Sequence, residues 1–186
     1  MNNDSGLFRV GIAGLGGIGS QVAQILARSK VEYLCLVDFD RVEQTNLDRQ
    51  FFFYDQIGRY KADMLEINLK RINPGITIET AHARLDPGNI IDIFKNCHVI
   101  VEGVDDKQTK KLVVEAFAGR VIPVVSASGI AGKDMNTVTV KSMGNLIVAG
   151  DLKTDEADAG LFPPKIHMVA SLMAGEVLNL KKGVFK

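Results

Sequence analysis

Apolar residues in this chain fall into short runs alternating with stripes at helical spacing. Residues 8–13 form a compact apolar run that reads as a strand, and Ile18, Val22, Ile25 and Leu26 then recur on one face of an amphipathic helix. Residues 33–37 read as a second strand. Residues 58–72 predict a helix with Ala62, Leu65, Leu69 and Ile72 on its buried side, stopped by Asn73-Pro74-Gly75. Residues 76–80 alternate as a strand, and Asp86-Pro87 opens a short helix that runs to Phe94. Cys97 opens a fourth strand ending at Val101. A helix follows over 107–119, with Asp106 placed to cap it. Residues 121–126 read as a strand, and 137–140 with 146–149 as a hairpin turning at Gly144-Asn145. The polar, acidic stretch 150–163 is expected to be a mobile loop, and 165–181 a closing amphipathic helix. Strands alternating with helices predict an α/β fold, Rossmann-like and three-layered, with a mostly parallel sheet and a C-terminal antiparallel hairpin.

Between the first strand and the first helix stands Gly14-Leu15-Gly16-Gly17-Ile18-Gly19, a nucleotide-binding turn in the right context. Gly14 permits the tight turn, Gly16 lets backbone approach a phosphate, and Gly19 lets helix and strand pack closely. The helix then presents free N–H groups and the positive end of its dipole to an anion. Asp38 closes the second strand 19 residues past Gly19, near the distance for an acid that grips a ribose hydroxyl. Taken alone, this fingerprint suits an NAD-dependent oxidoreductase equally well.

The residues after Asp38 change that picture. Asp38-Phe39-Asp40 leads into Asn46-Leu47-Asp48-Arg49-Gln50, and Gly58, Lys61 and Val104-Asp105-Asp106 follow. In this order they resemble the ThiF/MoeB family of adenylating enzymes related to ubiquitin-activating enzymes, whose members show G-x-G-G-x-G, D-x-D, N-L-x-R-Q, G-x-x-K and an aspartate after the fourth strand. The run from Asn46 through Phe51-Phe52-Phe53 resembles most closely the short ThiF-like proteins of bacterial thiamine biosynthesis.

The resemblance implies one adenylation domain over residues 1–186 that uses ATP and Mg²⁺. Gly14, Gly16, Gly17, Gly19, Asp38, Asp40, Asn46, Arg49 and Lys61 would bind the nucleotide. Arg49, Lys61 and Asp105 would carry the chemistry, with Asp105 linked to Mg²⁺. The implied substrate is the C-terminal Gly-Gly carboxylate of a ThiS-like, ubiquitin-fold sulfur-carrier protein, activated as an acyl-adenylate in thiamine biosynthesis. The family pairs its domains, so a homodimer is expected, with Phe51 to Tyr54 as packing or subunit interface. Outside the family, a non-catalytic nucleotide-binding scaffold is the remaining alternative, and within it a tRNA-modifying dehydratase that activates a small carboxylate. Arg49 also has a plain reading, a surface ion pair with Asp48 or Glu43.

Composition narrows the class further. The 186 residues carry 22 basic and 22 acidic side chains, so no charge excess points to nucleic acid. No apolar run reaches the length of a membrane span, and the first residues lack the regions of a signal peptide. The arm before the first strand is about seven residues, and Arg9 falls inside that strand, unlike the arginine that relatives carry on a longer arm into the partner subunit's site. Two cysteines, Cys35 and Cys97, sit beside apolar strands and read as reduced core thiols, which suits the cytoplasm. There is no C-x-x-C pair, so no zinc is expected, and no cysteine after residue 136 to act as a nucleophile. Sulfur would then come from an external donor.

Overall fold

The computed structural model describes residues 6–184; positions 1–5, most of the N-terminal arm, and 185–186 lie outside it. Five parallel strands are laid down in chain order: β1 (Arg9–Ala13), β2 (Tyr33–Val37), β3 (Thr77–Ala81), β4 (Val99–Glu102) and β5 (Val124–Ala127). The hairpin β6 (Thr139–Met143) and β7 (Leu146–Gly150) completes a seven-stranded sheet of order β3-β2-β1-β4-β5-β7-β6. β7 runs parallel to β5, and only β6 is antiparallel, at the edge. This is the Rossmann-like α/β sheet that the sequence predicts.

Alternation within the strands explains the layers. On β2, Leu34 and Leu36 face one apolar cluster while Tyr33, Cys35 and Val37 face another. The first cluster is covered by α1 (Gly17–Arg28), α2 (Lys61–Ile72) and α6 (Pro163–Val184), through Val22, Leu65 and Met173 among others. The second is covered by α3 (Ile90–Phe94) and α4 (Lys107–Phe117), through Phe94, Val113 and Phe117. A short helix, α5 (Glu156–Ala159), lies between β7 and α6.

Chain order reverses between β1 and β4. From β1 the chain crosses to β2 on one side, and it later returns to place β4 on the other. Crevices outside the carboxyl ends of such strands are where open α/β sheets bind ligands.

Three expectations need correction. The second helix begins at Lys61 rather than Gly58, because Gly58 adopts φ +82° and pairs its N–H with the Val42 carbonyl at 2.8 Å. The fourth strand begins at Val99, since the Cys97 N–H is turned back to the Phe94 carbonyl at 2.9 Å. The acidic stretch after β7 is no loose loop. Its first residue, Asp151, is buried in an ion pair with Lys165, and a short helix follows.

Candidate active site

The glycine turn is shaped by steric contact. Gly14 holds φ +81°, a conformation that L side chains rarely adopt. A Cβ on Gly19 would lie 1.8 Å from the Gly14 carbonyl oxygen, so only glycine lets α1 start against β1. Asp38 locks the turn from the next strand. Its Oδ2 accepts the Leu15 N–H at 2.7 Å and its Oδ1 accepts the Asp40 N–H at 2.7 Å. Burial pushes the Asp38 carboxyl above its ordinary range, against the opposing pull of those two N–H groups and of Lys61.

These elements border a cavity of about 770 Å³ over the carboxyl ends of β1, β2, β4 and β5. Gly14, Gly16, Gly17, Asp38, Asp40, Arg49, Lys61 and Asp105 all line it. Lys61 is buried at the start of α2, and its Nζ reaches Asp40 Oδ2 at 3.0 Å. Arg49 donates from Nη1 to the Thr45 carbonyl at 2.8 Å and to Asp48 at 2.7 Å. The plain ion-pair reading of Arg49 and its place at the cavity thus hold together. Asp105 is exposed on the loop after β4.

Two proposed nucleotide contacts sit back from the cavity wall. Gly19 packs behind the turn, and the buried Asn46 accepts the Glu43 N–H on Oδ1 at 3.0 Å, shaping the loop that carries Arg49. Asp106 borders the cavity beside Asp105, but its carboxylate caps α4, accepting the Thr109 N–H at 2.7 Å.

Several residues in or just behind the cavity wall were given no role by the sequence reading. Gln50 lines the cavity, and its Oε1 is a buried acceptor without a hydrogen-bond partner. Arg84 stacks its guanidinium over the Phe39 ring at 5.0 Å, both on the wall. Glu102, fully buried at the end of β4, accepts from Ser126 Oγ at 2.6 Å, from the Val104 N–H at 2.9 Å and from the cavity residue Lys110. A carboxylate closing the apolar run Val99-Ile100-Val101 was a legible signal for it. Nothing in the sequence marks Lys165.

The fit to a divalent cation can be judged from these donors. Among the described residues no group of three His, Cys, Asp or Glu could cage a metal. Mg²⁺ is commonly held by one or two carboxylates with substrate phosphates and waters, so a single free carboxylate at Asp105 fits.

The turn, the sheet reversal and the cation-lined cavity define a Rossmann-like nucleotide-binding domain. More narrowly, residues 6–184 match the model of the ThiF family, and the chain belongs to that family. The molybdopterin-synthase adenylyltransferase of Haemophilus influenzae is 29% identical over 184 residues, spanning 94% of this chain and 75% of that protein. Its Escherichia coli counterpart is 31% identical over 186 residues, spanning 96% and 74%. Among solved structures, the E. coli tRNA N6-threonylcarbamoyladenosine dehydratase TcdA in complex with AMP superposes with a TM-score of 0.86. At 18% identity over 95% of this chain and 86% of that one, this likeness speaks for the fold. No helix among the described residues is long and apolar enough to cross a membrane.

Proposed function

We propose that this chain, read as one adenylation domain, is an ATP-dependent adenylyltransferase that activates the C-terminal Gly-Gly carboxylate of a small ubiquitin-fold sulfur-carrier protein. The observation that carries it is the convergence of the glycine turn, Arg49, Lys61 and Asp105 on one cavity. Similarity to the molybdopterin-synthase adenylyltransferases supports the reaction class. The run Asn46 to Phe53 favours a ThiS-like carrier and hence thiamine biosynthesis.

The chemistry needs no general base, because a C-terminal carboxylate is already ionised near neutral pH. Its oxygen attacks the α-phosphorus of ATP, the bond to the bridging oxygen breaks, and pyrophosphate leaves with the electron pair. The obstacle is repulsion between anions, so positioning and charge stabilisation do the work. The backbone of the glycine turn and the α1 N-terminus take the phosphates, and Arg49 and Lys61 offset their charge. Asp38 holds the turn and offers its remaining lone pairs to a ribose hydroxyl. When bound at Asp105, Mg²⁺ supplies further neutralisation of the phosphate oxygens.

The same reading has the enzyme stop at the adenylate and take sulfur from an external donor. No cysteine lines the cavity. Cys35 and Cys97 are both buried; their mutual hydrogen bond pushes the Cys97 thiol up and the Cys35 thiol down, and Cys35 is held in the middle of β2, away from the cavity. Free thiols also suit the cytoplasm. Of the run Phe51 to Tyr54, Phe52 is buried in the core and Phe51 packs against it, while Phe53 and Tyr54 stay exposed and would serve a homodimer contact.

The test is ATP–pyrophosphate exchange with purified ThiS-like and MoaD-like carriers. Exchange that depends on the ThiS-like carrier is expected. Exchange driven by MoaD-like protein alone would move the enzyme out of thiamine synthesis, and exchange driven by a small carboxylate alone would favour the dehydratase.

A further inference from the structure

Lys165 is fully buried, a costly place for an ammonium group unless every donor is met. Its Nζ donates to Asp151 Oδ2 and to the Ala131 carbonyl, both at 2.6 Å. Asp151 is also buried, and its Oδ1 accepts the N–H groups of Lys153 at 2.8 Å and Thr154 at 2.9 Å. The Thr154 hydroxyl lies 2.9 Å from both Asp151 Oδ2 and the Ala131 carbonyl. A buried ion pair is a poor device for stability, since apolar residues of the same volume usually serve as well. Its presence calls for another reason.

Three segments meet at this pair: the loop after β5, the crossover after β7, and the start of α6. Backbone contacts continue the seam, with Asp151 N donating to the Gly129 carbonyl, Gly132 N to the Gly160 carbonyl, and a bridge between Ala131 and Leu161. Fit is tight, for a Cβ on Gly129 would lie 2.0 Å from Asp151 Oδ1. From these segments come Ser128, Gly129, Thr154, Asp155, Leu161 and Ile166, which together form one wall of the cavity. Neither Asp151 nor Lys165 lines it. The glycine turn, Arg49 and Lys61 lie on the β1 and β2 side, which Ile166 touches at Gly17, and the rest of the β5 and β7 wall is left for the second substrate.

We propose that Asp151 and Lys165 are a positioning pair that holds the β5 and β7 wall of the cavity in the shape that receives the carboxyl-bearing substrate, a reading that rests on the adenylation proposed above. The pair acts through the backbone and side chains it fixes. It bears on the carrier's tail more than on the nucleotide, which the wall meets only where Ile166 touches Gly17.

The decisive variant is the double change Asp151→Asn, Lys165→Met. It keeps volume and removes both charges, so no buried charge is orphaned as it would be in a single change. Exchange is measured against carrier and against ATP, with ATP affinity by titration calorimetry and the melting curve as controls of folding. The KM for the Gly-Gly carrier should rise about tenfold or more, kcat should fall less, and ATP affinity should stay within about twofold. Lys165→Arg, which keeps the charge, should bring the carrier KM most of the way back. An unchanged carrier KM in the folded double variant would overturn the proposal, as would a parallel loss of ATP affinity, which marks a general core element. Failure of the adenylation reading itself would show in the unmutated protein, as no exchange with any Gly-Gly carrier, and would remove the proposal with it.

Discussion

Each half of the cavity is built on one buried aspartate, and the two are shifted in opposite directions. On the glycine-turn side, burial raises Asp38 and its two backbone N–H partners do not offset it. Burial also pulls Asp151 upward. There the Lys165 ammonium and the N–H groups of Thr154 and Lys153 prevail and hold the carboxylate well below its usual range. One half opens on a space of about 770 Å³, and its cations Lys61 and Arg49 are ion-paired with the solvent-open carboxylates of Asp40 and Asp48. The other half is satisfied within the protein. A binding surface suits the first condition, because ion pairs open to water are readily exchanged for a ligand's charge; a supporting wall needs the second.

The comparison is broken most severely at Lys61. Lys61→Ala should lower adenylate formation about 100-fold, roughly 2.7 kcal/mol of barrier, as is usual for one preorganised charge donor. ATP binding should weaken less. Pyrophosphate exchange checks both, and an unchanged rate in Lys61→Ala would remove this lysine from the chemistry.

Gly19→Ala attacks the same half through the backbone. The added methyl would sit 1.8 Å from the Gly14 oxygen, so α1 must move away from β1. A loss of about 1–3 kcal/mol in chemical unfolding is expected, with ATP affinity lost in parallel. Full stability in Gly19→Ala would mean that the turn is looser than its packing indicates.

The smallest effect sharpens the comparison through pH. A carboxyl raised on folding contributes stability that is full below its unfolded pKa, ordinarily 3.8, and is lost as pH climbs through the folded value. Asp38→Asn should therefore gain relative to the unmutated protein as pH rises from about 4 to 7. Asp151 has the opposite sign: its contribution is present above 3.8 and fades as pH falls through its lowered value. The penalty of Asp151→Asn should shrink in acid. Urea unfolding at several pH values would show two trends of opposite slope, and slopes of one sign would contradict the contrast.

The half that the sequence reveals is the local one. Gly14 to Gly19, Asp38 and Asp40 lie within one βαβ unit, where strand, turn and helix follow from apolar periodicity and glycine sterics. Arg49 and Lys61 were singled out instead by resemblance, through the N-L-x-R-Q and G-x-x-K runs, and the segments carrying them lead directly out of β2 and into α2. The hairpin at Gly144-Asn145 was likewise written in turn chemistry.

What the sequence left open depends on distant partners. Residues 150–163 look like a mobile acidic loop because they are polar, with Asp151, Asp155, Glu156 and Asp158 set against Lys153 alone. Lys165 neutralises Asp151 from 14 positions away, and only after α6 has packed against the sheet and excluded water. The Glu102 contact with Ser126 spans 24 positions and requires β4 and β5 to lie side by side. Local pattern fixes which residues turn and which are buried. Which buried charges find each other is decided by strand order, because pairing in a low-dielectric interior takes close contact that only the assembled sheet provides.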